Sequence, residues 1–155
     1  MTRFLIMMLS MFMLAGTVMA QSQPIKPAAP TQSAPSQSTI EPNVLRDAGL
    51  RVARAVDAGK EMDLWDGSSP VMKKAVKREE FVSSVRNTRN PLGPVVSRSW
   101  VSIDLQQMSG QGFPPGQYAT ARSVASFAAG RSLTEIVTFR LDEDGTWRFA
   151  GYVIR

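Results

Sequence analysis

The chain of 155 residues contains no cysteine and no histidine. Without cysteine there is no disulfide scaffold, no thiol chemistry and no lipid attachment through an N-terminal Cys, so a fold in an oxidising compartment must hold by its core alone. Without histidine a Ser-His-Asp arrangement is excluded, and a zinc site would have only carboxylates to use. No glycine-rich phosphate loop is present either. The expectation is a protein with no metal and no cofactor.

Charge is unevenly signed, with 18 Lys+Arg against 13 Asp+Glu and a formal net charge of +5. No stretch interleaves aromatics with the basic residues as a single-stranded nucleic-acid platform would, so nucleic acid is not an expected partner. The excess suits weak contact with anionic envelope surfaces or an ordinary solvated face.

What is present divides the chain into three parts. Arg3, the apolar run from Phe4 and the small-residue end at Ala20 have the order of a secretory signal peptide, which makes residues 1–20 a cleaved segment and the location periplasmic or secreted. Residues 21–42 are rich in Gln, Ser, Ala and Pro, too poor in apolar surface to offset the entropy of ordering, and are expected to be a disordered tether. Residues 43–155 form one α+β domain. In it, Leu45, Ala48, Gly49, Val52, Ala55 and Val56 recur at helical steps, and Gly59 is the stop. Short helices are predicted at Glu61 to Trp65 and from Ser69-Pro70 to near Val76, with a longer one from Arg78 to Thr88. The prolines and glycine of Asn90 to Pro94 end it.

From Val95 the period becomes two. Val95, Val101, Ile103 and Leu105 share one parity and Arg98, Trp100, Ser102 and Asp104 the other. A loop over Ser109 to Gly116, a strand over Gln117 to Phe127 and a terminal hairpin around Asp142 to Gly145 complete about four antiparallel strands, with the helices on one face of a curved sheet.

Several residues stand out chemically. Glu135 shares parity with Val137 and Phe139, so its carboxylate points to the apolar side, where it must either pair with Arg98 or Arg122 or act as a proton-transfer base. Pairing is the preferred reading. Asp57 is expected to bond amides of the Gly59 turn, with Asp63 a second carboxylate nearby. Tyr118 and Tyr152 are hydrogen-bond donors if the domain is an enzyme. Lys73, Lys74, Lys77, Arg78, Arg86, Arg89 and Arg98 are a candidate anion-attracting cluster. Trp65 and Trp100 are expected in the core, and Phe113, on a Gly/Pro-rich loop, on a contact surface.

The series Asp57-x-Gly59, Trp65, Arg89-x-x-Leu92-Gly93, Arg98, Pro115-Gly116-x-Tyr118, Phe127, Glu135 and Asp144-Gly145-x-Trp147-x-x-x-Gly151-Tyr152 resembles a family of small secreted bacterial domains of unknown function, similar to the nuclear transport factor 2 and cystatin group. Met62 and Phe81 depart from it, standing where an aromatic and a tryptophan are more usual. The resemblance implies a cone-shaped α+β fold and no particular reaction. The preferred function is a non-enzymatic binding or interaction module, with Arg98, Arg89, Phe113, Trp65 and Tyr152 as candidate contact residues. The alternatives are a proton-transfer enzyme on a small apolar substrate, using Glu135, Tyr118 or Asp57, and a structural subunit that self-associates as a homodimer.

Overall fold

A computed structural model describes residues 40–110 and 113–155. The expected signal segment, and the expected tether as far as residue 39, lie outside the described residues. Ile40 is partly buried against the core, and Pro42 opens the first helix, where a missing N–H costs nothing.

Helix α1 spans Pro42–Asp57 and ends where Gly59 adopts a positive φ of 68°. Its buried residues are Leu45, Gly49, Val52, Ala53 and Val56, so one stripe faces inward. At Gly49 the helix comes close to the sheet: a Cβ there would lie 2.9 Å from the Cβ of Ala121. Helices α2 (Glu61–Asp66), α3 (Pro70–Ala75) and α4 (Arg78–Arg89) follow, and a 3-10 turn over Asn90–Leu92 closes the helical half. The Ser69 hydroxyl accepts from the Val71 amide at 3.3 Å, the cap predicted for α3.

The C-terminal half is a four-stranded antiparallel sheet in the order β1-β2-β3-β4, from β1 (Val95–Gly110), β2 (Phe113–Phe127), β3 (Ser132–Leu141) and β4 (Trp147–Ile154). The β3–β4 hairpin turns where predicted, with Gly145 at φ 76° and the Gly145 amide donating to Asp142 O at 2.9 Å. The core lies between the helices and one sheet face, where Leu45, Val52, Met72, Phe81, Val137 and Phe149 meet. Phe81 packs edge-on to Phe149 at 5.8 Å, so the phenyl at one departure from the family resemblance fills the interior. The other, Met62, is exposed.

Three expectations are corrected. The Ser109 to Gly116 loop is shorter than expected, since Gly110 already pairs with Phe113 and Met108 with Gly116. The parity of β1 breaks at an irregularity between Trp100 and Ser102. Opposed residues share a face, so Arg98 (opposite Ala125) and Trp100 (opposite Ser123) stand on the same side as Ile103 (opposite Ala121) and Leu105 (opposite Ala119). One inserted residue exchanges the faces, which puts Arg98 over the core side and leaves Val101 exposed. Trp100 is the third correction: it lies on that side at the sheet's edge and is 45% exposed, not core.

Candidate functional site

At one end of the sheet the C-termini of α1 and α4 meet β1, β3 and β4, and five charged or phenolic side chains join there. Glu135 is 0% exposed. Its carboxylate accepts from Arg98 Nε, from Arg98 Nη2 at 3.1 Å, from the Tyr152 hydroxyl at 2.8 Å and from the Ser123 hydroxyl at 3.5 Å. The same Arg98 Nη2 donates to both oxygens of Asp57, at 3.2 and 3.0 Å. Asp57 in turn takes Arg89 Nη2 at 2.9 Å, while Arg89 Nη1 donates to Gly93 O at 2.6 Å and its guanidinium stacks 4.6 Å from the centre of the Phe127 ring.

The order Arg89, Asp57, Arg98, Glu135, Tyr152 alternates in sign and carries two positive and two negative charges, so it is neutral as a whole. This is the arrangement that makes burial of charge tolerable: each ion is paired, and Glu135 and Arg89 have further partners in Tyr152, Ser123 and Gly93 O. Burial draws the Arg98 guanidinium down, but hydrogen bonding and charge from Glu135, with Asp57 after it, outweigh that and hold it above its ordinary value.

Tyr152 is pushed far up, first by burial and then by the Glu135 charge beside it. A phenol raised in the folded state stays protonated there while its unfolded counterpart ionises, so stability is fully present below the unfolded value of 10.0 and is lost as pH rises beyond it. The expected alkaline slope from this group approaches about 1.4 kcal/mol per pH unit. Denaturant melts of the parent and of Tyr152→Phe between about pH 9 and pH 11 check it: the parent must lose stability faster. Parallel curves would remove Tyr152 from the network.

The structure therefore brings together Asp57, Arg89, Arg98, Glu135 and Tyr152. Of the two arginines offered to Glu135, only Arg98 reaches it, because Arg122 has the opposite parity and pairs with Asp104. Asp57 does not bond the Gly59 turn, a correction with a simple cause: the Gly59 and Lys60 amides are already taken by Val56 O and Ala55 O. Its carboxylate is left for the guanidiniums. Asp63 is exposed on α2.

Tyr118, Phe113 and Trp65 lie elsewhere. Tyr118 is on the sheet face opposite Glu135, and its hydroxyl donates to Pro114 O at 2.9 Å. Phe113 is half exposed and meets Tyr118 edge-on at 5.8 Å. Trp65 packs against the core, donates to Val76 O at 3.2 Å and carries Lys73 Nζ 5.4 Å from its ring centre. The basic cluster is largely neutralised from within, with Arg78 on Asp66, Arg86 on Glu61, and Arg89 and Arg98 on Asp57.

A second network, at the hairpin end of the sheet, has no counterpart among the predicted sites. Buried Asp142 accepts from Ser69 Oγ at 2.6 Å, Arg140 Nη1 at 2.9 Å and Arg148 Nη1 at 3.0 Å. Glu143 holds Arg140 from outside and Asp144 holds Arg148. The signal was in the sequence: an acidic turn, Asp142 to Asp144, flanked by Arg140 and Arg148.

Between α1 and the sheet, among the described residues, lies one small cleft. The cavity lined by Gly49, Leu50, Trp100, Ala121 and Val137 amounts to about 10 Å³, room for a single water at most. A larger groove of about 240 Å³ lies outside it, bounded by Val71, Met72 and Ala75 of α3, Phe113 and Tyr118 of β2, and Val153 of β4.

Helices packed on one face of a four-stranded antiparallel sheet, with a buried ion-pair chain fastening their ends to it, define this protein as an α+β domain with one sheet layer. The chain belongs to the family described as protein of unknown function DUF4019, whose profile matches residues 48–152 and so spans every member of the Glu135 network. A comparison with curated proteins finds no match.

Proposed function

We propose that the chain is a non-enzymatic binding module of the nuclear transport factor 2-like and cystatin-like kind, exported by residues 1–20, tethered by the Pro-rich segment after them, and engaging a partner polypeptide through the groove beside Phe113. The observation that carries this is the contrast between the two spaces. The cleft between α1 and the sheet, about 10 Å³, has no room for a substrate, whereas the groove of about 240 Å³ is mainly apolar and opens beside a half-exposed aromatic. Exposed apolar surface around an aromatic anchor is what a partner's side chain requires.

The proton-transfer alternative needs a carboxylate with a free lone pair facing its substrate. Glu135 accepts four hydrogen bonds and has no exposed surface. A base so enclosed cannot reach a proton outside its own network.

Two measurements test the reading. N-terminal sequencing of the chain recovered from the periplasm or medium should begin at Gln21; a chain that stays inside the cell with Met1 intact would overturn the export part. Selection from a displayed peptide library should enrich sequences that share an apolar side chain, with binding lost in Phe113→Asp and kept in Trp100→Asp. Peptides that bind Phe113→Asp equally well would end the groove's role.

A further inference from the structure

The sheet has two edges, and they are not equivalent. At β4 the start of α3 reaches the edge, where the Ser69 amide donates to Phe149 O at 2.8 Å. At β1, a strand of 16 residues, only β2 is paired among the described residues. An open edge of that length is a template for another strand, and proteins that keep such an edge single place lysine or proline along it or break it with bulges and inward charges. β1 has no lysine or proline, and its irregularities and inward-facing Arg98 lie outside Ser102 to Met108.

Its side chains favour contact. Val96, Trp100, Val101 and Leu105 are 72, 45, 54 and 55% exposed. The only charged residues of β1 are Arg98 and Asp104, and both are satisfied within the molecule, by Asp57 and Glu135 in one case and Arg122 in the other. This matters for the choice of occupant. Two copies of a chain with a positive net charge repel one another, and under a two-fold axis every residue near the axis meets its own kind. A strip whose charges are compensated internally is where two copies can meet at least electrostatic cost.

The register narrows the contact. Irregularities fall between Trp100 and Ser102 and between Met108 and Gly110, leaving Ser102 to Met108 as an unbroken run. Laid antiparallel on itself, that run is centred on Leu105, which puts Leu105 opposite its mate, Ile103 opposite Gln107 and Asp104 opposite Gln106. No like charges stand directly opposite, and the central pair is apolar.

We infer that β1 is a self-pairing edge: two copies of this chain join antiparallel across Ser102 to Met108, with the two-fold axis at Leu105, into one continuous eight-stranded sheet. This concerns a surface separate from the groove beside Phe113 and stands or falls without it.

The absence of cysteine makes the test clean, because one introduced thiol is the only thiol. In the full chain, Leu105→Cys should oxidise to a covalent dimer, its partner thiol lying directly across the axis, while Ser84→Cys on the exposed face of α4 stays monomeric. By sedimentation, the parent should pass from monomer to dimer as concentration rises to about 100 μM, and Leu105→Lys, melting as the parent does, should remain monomeric. A parent that is monomeric throughout overturns the inference. So does a dimer that Leu105→Lys leaves intact, or a Leu105→Cys chain that oxidises no faster than the control or cross-links to another polypeptide instead of itself.

Discussion

Glu135→Gln is expected to lower stability by about 3–5 kcal/mol, which for a domain of this size is a fall in melting temperature on the order of 15 °C. The substitution keeps the shape of the side chain and removes its charge, leaving Arg98, only 10% exposed, with half of its compensation. The amide NH2 would also face a donor, either the Arg98 guanidinium or the Tyr152 hydroxyl. The cost is that of an uncompensated buried ion and not the net worth of the pair, and the two can be separated. In the triple change Glu135→Leu, Arg98→Met and Tyr152→Phe no charge is stranded, because Asp57 retains Arg89. That variant should recover most of the stability lost by the single one. Thermal melts of both decide the matter: a single variant melting within about 2 °C of the parent, or a triple variant worse than the single, would show that the network is not what fastens the helix ends to the sheet.

How much of this was readable beforehand depends on how local each cause is. The inward direction of Glu135 followed from the alternation of one regular strand, and Arg98 was a natural partner for it. That Arg98 reaches Glu135 at all depends on the irregularity after Trp100, and the residue inserted there is a valine, with no glycine to mark it. Strand periodicity assumes an unbroken pleat, so it assigned Arg98 and Trp100 to the wrong side of β1. Asp57 was misread for a related reason. A local rule sends an aspartate near a turn to the turn's amides, but whether those amides are free is decided by the helix end itself, and the arginines that replace them come from 32 and 41 residues away. The terminal hairpin and the Ser69 cap depend on neighbours in the chain, and each appears where expected.

Asp142→Asn should be the second costly change, by about 2–4 kcal/mol, with a consequence beyond the loss itself. The carboxylate is buried with three donors around it: Ser69 Oγ from the cap of α3, Arg140 from β3 and Arg148 from β4. An asparagine can present one oxygen to these donors, and its NH2 then points at a guanidinium or a hydroxyl hydrogen. Arg140 still has Glu143 and Arg148 still has Asp144, so both ion pairs on the solvent side survive. Ser69 has less in reserve: its hydroxyl loses its carboxylate acceptor, and only its amide, on Phe149 O, still ties the start of α3 to the hairpin. The damage should therefore concentrate in α3, a helix of 6 residues too short to hold on its own once a contact at its start is weakened. Amide hydrogen exchange should quicken at Ser69, Val71 and Lys73 by more than the global loss accounts for, while Glu61 to Asp66 and the β1–β2 amides follow the global change alone. The same experiment on Asp144→Asn, whose ion pair is exposed to solvent, should leave α3 protected. Equal quickening throughout the domain in Asp142→Asn would mean that this residue supports the sheet as a whole and not the junction between α3 and the hairpin.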